Sequence, residues 1–176
     1  MLIRSATNDD APAVRELVSG VLAEYGLLAE HEGVDADLAD LEANYIARGG
    51  LFDLVFDETR LDPPLVTSRE LQFARPTGCN DSAEKLIGTV GLYPRGEGVA
   101  ELRKMYLLKS ARGKGLGKML LERVLCRARE LGFRRIELET SSKLVEAIGL
   151  YKAYGFVPFK SEHLACRCDQ AFALDL

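Results

Sequence analysis

A run of alternating glycines is the part of the chain best suited to bind a ligand. The residues concerned are Arg112, Gly113, Lys114, Gly115, Leu116, Gly117 and Lys118. Glycine tolerates positive φ and lacks a Cβ, so such a backbone can turn sharply and present its N–H groups to a close ligand. An apolar, strand-like run precedes the loop and a helical pattern follows it. Because a helix N-terminus adds unpaired N–H groups and a positive dipole, the stretch predicts an anion site.

Two widespread phosphate-binding motifs do not fit this loop. Walker A requires Ser or Thr after its lysine to bind Mg²⁺, whereas Met119 follows Lys118. The dinucleotide motif GxGxxG fails as well, because its third glycine falls on Lys118 or Leu120, depending on the starting glycine. The pattern R-x-x-G-x-G, beginning at Arg112, does match. From the residues alone, a tight strand-to-helix turn without a ligand stays the alternative.

The charge around the loop favours a ligand over a simple turn. Between Glu101 and Glu122 the chain has six basic residues and no acidic one, although its formal net charge is −4 and its pI about 5.3. A basic cluster on an acidic protein suits a small anionic ligand. Nucleic acid would require a broad basic face and usually aromatic platforms, so we expect no nucleic-acid partner.

Two motifs resemble those of the GNAT family of N-acetyltransferases. The R-x-x-G-x-G loop from Arg112 resembles the acetyl-CoA-binding motif, which in that family cradles the coenzyme A pyrophosphate. Residues 147–156, AIGLYKAYGF, resemble the family pattern A-x-x-L-Y-x-x-x-G-F. The order of the expected elements also matches, so the resemblance covers most of the chain. It implies an acetyltransferase with acetyl-CoA as co-substrate.

The resemblance also implies which residues hold the coenzyme. The loop at residues 112–118 would bind the pyrophosphate. The preceding strand would pair with the pantetheine amides and polarise the thioester carbonyl through a backbone N–H. This strand segment consists of Met105, Tyr106 and Leu107. Relatives often have Asn where Leu144 stands, so we expect a neighbour such as Ser142 to replace its contact with the pantetheine arm.

Amine acetylation needs a proton acceptor and a proton donor. An aliphatic ammonium has a pKa of about 10.4 and must lose a proton before it can attack. Several relatives keep a base where Glu101 opens the central strand; a solvated charge is the alternative there, and Glu139 is the reserve base. Tyr151 occupies the family's general-acid position for the leaving thiolate, with a plain core aromatic as the alternative. Tyr154, three residues on, is expected to pack beside Gly155 instead.

The hydrophobic patterns and the resemblance predict an α/β (α+β) domain of GNAT type. It would have a mixed, mostly antiparallel sheet with a parallel βα core unit, flanked by about four helices. Helices are expected near residues 12–26, 35–48, 120–131 and 143–154, and strands near 2–6, 51–56, 85–93, 101–108, 135–140 and 172–174. Prolines, glycines and one Asn-Asp pair predict a long loop or hairpin insertion at about 57–84. It would either cover the site or form a surface loop.

The composition is that of an ordinary globular domain. The chain has 176 residues, 47% hydrophobic and 28% charged, which suits a single domain over 1–176. No apolar run approaches the roughly 20 residues of a membrane span, and the N-terminus lacks a secretory apolar region, so we expect no membrane partner. The four cysteines lack CxxC spacing, and we predict no metal site. A reducing, cytoplasmic location is the expectation.

These features predict an enzyme that transfers the acetyl group of acetyl-CoA to a small-molecule or peptide amine. The expected mechanism is direct attack in a ternary complex, because no cysteine lies in a motif for a covalent acyl-enzyme. Two alternatives stay open. One is a CoA-binding sensor or interaction domain without catalysis, and the other is a transferase for a different acyl-CoA. The sequence leaves homodimer formation open.

Uneven charge along the chain bears on the acceptor. Residues 1–62 carry a net charge of −10 and residues 63–176 a net charge of +6. In the family, the N-terminal helices line the acceptor side. An acidic acceptor side would concentrate a small cationic amine, a polyamine or a basic peptide end. The alternative is a solvated helix face made by Asp35, Asp37, Asp40 and Glu42.

Overall fold

The structure, a computed structural model, describes residues 1–58, 84–161 and 164–176. Its strands are β1 (Leu2–Ser5), β2 (Leu51–Glu58), β3 (Glu84–Gly96), β4 (Val99–Leu107), β5 (Arg135–Thr140), β6 (Val157–Pro158) and β7 (Gln170–Asp175). Its α-helices are α1 (Ala11–Glu24), α2 (Leu116–Glu130) and α3 (Val145–Ala153). The described strands form one sheet in the order β1-β2-β3-β4-β5-β7-β6, and β4–β5 is its one parallel pair. The predicted mixed, mostly antiparallel sheet is confirmed.

Helices cover both faces of the sheet because the strands divide their apolar side chains between two clusters. One cluster joins α1 and the segment after it to the sheet through Val14, Val18, Leu22, Leu38, Leu41, Tyr45, Phe52, Leu54 and Phe56. The other joins α2 and α3 to the sheet through Val55, Val90, Leu102, Leu120, Leu121, Val124, Leu138 and Ile148. On β2, neighbouring residues alternate between the clusters, which is the period of two of a strand buried on both faces.

The two long helices follow their sequence patterns. In α1 the apolar residues at helical spacing are all buried, and Pro12 lies in the first turn. In α2 the corresponding stripe is buried, and basic residues occupy the last turn, where they complement the helix dipole. None of the helices in the described parts of the chain is long and apolar enough to cross a membrane.

The second predicted helix, over residues 35–48, is present as two short helical turns and not as one continuous α-helix. The structure has a 3₁₀ turn at Ala36–Ala39 and a π-helical turn at Glu42–Ile46. Between them Asp40 is extended, with φ −143° and ψ 90°. Its carboxylate accepts hydrogen bonds from a backbone N–H in the second turn (2.8 Å) and from the side-chain amide of Asn8 (3.0 Å). A side chain that caps the second turn while binding a distant residue interrupts the helix here.

The expected insertion at about 57–84 is described only at its flanks. β2 extends to Glu58 and β3 begins at Glu84, so the insertion connects two neighbouring antiparallel strands. Residues 59–83, which make up most of the expected insertion, lie outside the described residues. At its C-terminal end β3 continues to Gly96, whereas the sequence predicted that this strand would end near residue 93.

Candidate active site

β4 and β5 part soon after they begin, and the gap between them opens a cavity. Their parallel ladder ends at the pair Glu101–Glu137. Beyond it β4 stays bonded to β3 and β5 to β7, so in the described structure the facing edges have no strand partner. The cavity has a volume of about 950 Å³ and is lined by residues 101–107 on β4 and 139–141 at the end of β5. Unpaired strand edges leave backbone N–H and C=O groups free for a ligand.

A β-bulge sets the direction of β4. Lys104 and Met105 both lie opposite Val90, because the register shifts between Thr89 and Gly91. Lys104 has a φ of +52°, which residues other than glycine rarely adopt. The buried hydroxyl of Thr89 donates a hydrogen bond to the Lys104 carbonyl (2.7 Å). Since a bulge bends its strand and increases the local twist, this one turns β4 away from β5.

The ammonium of Lys104 enters a buried ionic network. It forms ion pairs with Asp35 and Asp37 and donates to the carbonyl of Val34 (3.0 Å). Asp35 is fully buried and also accepts two hydrogen bonds from Arg167, both of 2.7 Å. Burial alone would raise the pKa of Asp35, but the hydrogen bonds from Arg167 and Lys104 hold it at about 2. The network joins the segment after α1, the bulge, and the loop before β7.

A second group of charges surrounds Glu101. Its Oε2 accepts hydrogen bonds from Arg103 (2.6 Å) and Arg95 (3.0 Å). Arg103 also lies over the ring of Tyr93, 4.1 Å from the centroid, and 3.4 Å from a carboxylate oxygen of Asp37. Glu101 lines the cavity with its side chain only 12% exposed. The structure therefore places the expected base in the site, but two guanidinium groups share one of its oxygens.

Among the described residues, the acids of the N-terminal segment do not form a free acidic surface on the cavity. Asp35 and Asp37 are buried in ion pairs, so the solvated helix face considered for them is wrong. Further ion pairs are Asp10–Arg4, Glu24–Arg112 and Asp53–Arg123. Pairing of this kind weakens the electrostatic field that these acids would exert on a distant cation.

α3 brings Tyr151 to the same cavity. Its side chain lines the wall, is 6% exposed and packs against Phe156, with ring centroids 5.7 Å apart. Burial, with a smaller electrostatic contribution from Tyr106, raises the pKa of Tyr151 well above its ordinary value. The phenol therefore keeps its proton at neutral pH. Tyr154 points elsewhere: its hydroxyl donates to Glu122 (2.6 Å), and it is not part of the cavity wall.

We call the end of the cavity at which β4 and β5 part its narrow end, and the end at which β4 finishes its wide end. The glycine loop follows β4 and lies at the wide end. After the 3₁₀ turn Lys109–Ala111, Gly113 and Gly115 have φ of +74° and +80°, which glycine adopts without strain. Gly115 is the N-cap of α2, so the free N–H groups of the first helical turn follow directly. Of the seven loop residues named from the sequence, the cavity wall includes Arg112, Gly113 and Gly117.

Arg112 ties the loop to the rest of the domain. Its Nε donates to the carbonyl of Leu107 (2.8 Å), and its Nη1 donates to Glu24 (2.7 Å) and to the hydroxyl of Tyr25 (3.3 Å). Its Nη2 is buried and has no hydrogen-bond partner in the described structure. A buried donor without a partner, next to a loop of free N–H groups, fits a phosphate-bearing ligand.

Ser142 does not lie on the cavity wall. Its hydroxyl and its N–H both donate to the carboxylate of Asp169, at 2.6 and 2.7 Å. The serine on the wall is the buried Ser141, beside Leu144. This position does not support the expectation that Ser142 replaces the asparagine of relatives.

Several residues of the site have no signal in the sequence. Lys104, Asp35 and Arg167 meet only through the fold, and the left-handed φ of Lys104 cannot be inferred from its residue type. Cys168 also lines the cavity, and burial raises the pKa of its thiol to about 11. Residues whose partners lie far away in the chain follow no periodic pattern in the sequence.

Comparison of the sequence with known proteins identifies one family. The model of the acetyltransferase (GNAT) family matches residues 51–156. The Escherichia coli (strain K12) protein named "Uncharacterized N-acetyltransferase YjgM" is 32% identical over 160 residues, which cover 88% of this chain and 81% of that protein.

Solved structures share the fold at low sequence identity. A GNAT-family acetyltransferase from Staphylococcus aureus Mu50 matches with a TM-score of 0.79 and 21% identity, over 99% of this chain and 98% of that one. A GNAT phosphinothricin acetyltransferase from Sinorhizobium meliloti, solved in complex with AcCoA, matches with a TM-score of 0.67 and 18% identity, over 99% and 88% of the two chains.

Proposed function

The chain belongs to the acetyltransferase (GNAT) family and is an acyl-CoA-dependent N-acyltransferase, and we propose that it transfers the acetyl group of acetyl-CoA to a primary amine by direct attack. The observation that carries the proposal is that the glycine loop, the unpaired edge of β4 and Tyr151 line one cavity. Acetyl transfer needs a grip on the coenzyme, a polar group at the thioester carbonyl and a proton donor for the thiolate. The cavity offers a candidate for each.

The donor we propose is acetyl-CoA. The N–H groups of residues 112–118 would bind its pyrophosphate at the N-terminus of α2, with the free Nη2 of Arg112 as a further donor. The β4 edge at residues 105–107 would pair with the pantetheine amides and supply an N–H to the thioester carbonyl. The AcCoA complex of the Sinorhizobium meliloti relative, which has this fold, supports the choice of donor.

Tyr151 is the proposed general acid. Collapse of the tetrahedral intermediate breaks the C–S bond, and the leaving thiolate must receive a proton. A phenol whose pKa burial raises stays protonated until that moment and is returned to its neutral form from solvent afterwards. The position of its side chain on the cavity wall supports this role over that of a plain core aromatic.

Direct transfer is preferred over an acetyl-cysteine intermediate. Cys168 is a thiol on the cavity wall, and a thiol attacks a thioester only as the thiolate. Burial raises the pKa of Cys168 to about 11, so the thiolate is scarce at neutral pH. The ternary complex is therefore the simpler mechanism, with the amine itself as the nucleophile.

The acceptor we propose is a primary amine on a small molecule or a peptide end. A cationic acceptor agrees with this proposal, because an aliphatic primary amine is an ammonium ion at neutral pH. The structure gives less support for a polyamine than the sequence did, since Asp35 and Asp37 are already paired with cations. Glu101, the base expected from the sequence, is held by two arginines and is better suited to organise Arg95 and Arg103.

A turnover assay separates the proposal from its alternatives. Coenzyme A release would be followed with a thiol reagent while acetyl-CoA is offered with a panel of primary amines. Acceptor-dependent release supports the transferase, whereas binding of acetyl-CoA without release for any amine supports a sensor domain. Succinyl-CoA in place of acetyl-CoA tests the choice of acyl group. The cytoplasmic location stays a prediction, and homodimer formation stays open.

A further inference from the structure

The carboxylates on the cavity wall differ in their partners. Asp37 and Glu101 are each paired with two cationic side chains. Glu146 lies exposed on the first turn of α3. Glu139, near the end of β5, lines the cavity and has no lysine or arginine nitrogen within 4 Å among the described residues. It is thus a carboxylate inside the cavity whose charge is not already matched.

Glu139 is held in place by neutral donors. Its Oε1 accepts a hydrogen bond from the hydroxyl of Ser161 (3.1 Å), and its Oε2 accepts one from the N–H of Ala165 (2.8 Å). A carboxylate has about four lone-pair sites, so these two bonds leave capacity for another donor. The side chain is therefore oriented and can accept a further hydrogen bond from a ligand in the cavity.

The register of the two parting strands explains why no cation among the described residues pairs with Glu139. Glu139 lies two residues beyond the last β4–β5 pair, Glu101–Glu137, and Arg103 lies at the same place on β4. In a continuing ladder, Arg103 would be the neighbour of Glu139 on the same face. The strands separate instead, and the guanidinium of Arg103 binds Glu101 and Asp37. Glu139 is left at the narrow end of the cavity, away from the glycine loop.

We propose that Glu139 is the catalytic base, which binds the acceptor as an ammonium and takes its proton. This inference rests on the proposed acetyl transfer and deepens it, because it replaces Glu101 in that role. The narrow end of the cleft is where a thioester would lie if its pyrophosphate is bound by the loop at the wide end. A carboxylate at that point attracts the ammonium and orients its nitrogen toward the carbonyl carbon.

The proton and electron pairs balance along the reaction. The ammonium R–NH₃⁺ gives one proton to Glu139, and the freed lone pair of R–NH₂ forms the C–N bond to the thioester carbon. The C–S bond then breaks, and its electron pair leaves on the thiolate, which is protonated by Tyr151. The amide nitrogen then releases its second proton to solvent, Glu139 releases the first, and Tyr151 takes one proton back, so the net release is one proton for each acetyl group transferred. No oxidant, reductant or metal is required.

The test is the substitution Glu139→Gln, assayed with two acceptors of different basicity. One is a primary alkylamine that the wild type acetylates, and the other is its analogue with fluorine atoms beside the amine carbon, which is mostly uncharged at neutral pH. A general base contributes about 10²–10⁴-fold, so kcat/KM for the alkylamine should fall by about that factor. The fluorinated amine needs no deprotonation before attack, so its loss should be under about tenfold. Equal losses for both amines, or no loss, would overturn the assignment.

Glu137→Gln is the matched control. Glu137 lies two residues earlier on the same face of β5, binds Arg135 and is not on the cavity wall, so this variant should keep wild-type turnover. The affinity of E139Q for coenzyme A, measured by calorimetry, reports whether the fold is intact. Should E139Q fail to bind it, Glu139→Ala with added formate decides: formate-dependent alkylamine turnover supports a base, and its absence overturns one. If the wild type acetylates neither amine, the acetyl-transfer proposal fails instead.

Discussion

Lys104, on the bulge of β4, forms a buried ion pair with Asp35, which lies 69 residues earlier in the chain. The side chains are 4% and 0% exposed. Because Asp35 also binds Arg167, this one carboxylate connects three segments around the narrow end of the cavity. The pair thus holds the segment after α1 against the part of β4 that lines the cavity.

Asp35→Asn should destabilise the fold strongly. The substitution is nearly isosteric but leaves Lys104 and Arg167 without their shared counter-charge. Breaking a buried pair by removing one partner costs about 3 to 5 kcal/mol. The free energy of unfolding in urea measures this loss, and Glu16→Gln, on the exposed face of α1, is the control. A change below about 1 kcal/mol, the range of surface pairs, would contradict the role given to this network.

Protonation of the same carboxylate should lower the free energy of unfolding at acidic pH. Asp35 has a folded pKa of about 2, below its ordinary value of 3.8, so the folded state binds its proton more weakly than the unfolded chain does. Its contribution is complete above about pH 4 and is lost as the pH falls through about 2. The wild type should therefore lose stability more steeply than Asp35→Asn between about pH 4 and pH 2, by at most about 1.4 kcal/mol per pH unit. Parallel curves for the two proteins, from urea unfolding at each pH, would contradict the prediction.

Tyr151→Phe should lower kcat and spare binding. The ring and its packing on Phe156 stay, while the proton for the leaving thiolate is lost. We expect kcat to fall at least about tenfold with little change in KM for either substrate. Tyr154→Phe is the control, because that hydroxyl binds Glu122 on the surface, and it should keep wild-type kcat. A wild-type kcat in Tyr151→Phe would make this tyrosine a core residue.

Gly117→Val tests the coenzyme loop. A Cβ at this position meets Leu150 at 3.6 Å and Leu107 at 3.8 Å, ordinary contacts that place it between two cavity-lining side chains. Loss of one charge-assisted hydrogen bond, about 1.5–3 kcal/mol, would raise the KM for acetyl-CoA about tenfold to a hundredfold. The KM for the amine should change much less. Gly20→Ala, with open space around it on α1, is the control; equal acetyl-CoA binding by both variants would refute the assignment.

Features that depend on neighbours in the sequence were predictable, and those that depend on distant partners were not. The strand, glycine loop and helix around Gly115 follow from turn chemistry and periodicity, and the structure has them in that order. The helix expected at residues 35–48 is divided into two turns at Asp40, whose carboxylate binds Asn8, 32 residues away. The sequence placed Glu101 near the start of β4, as the structure has it. Its ion pairs with Arg95 and Arg103 were not predictable, because Arg95 reaches it only when β3 pairs with β4.

The acetyl group itself gives the most direct test of the proposed transfer. The wild-type protein would be incubated with acetyl-CoA and a primary amine, and the masses of the amine and of the intact protein would be measured beside the thiol released. We predict one acetylated amine for each coenzyme A released, with the mass of the protein unchanged. Coenzyme A release without an acetylated amine, or an acetyl group retained on the protein as an obligatory intermediate, would contradict direct acetyl transfer to an amine.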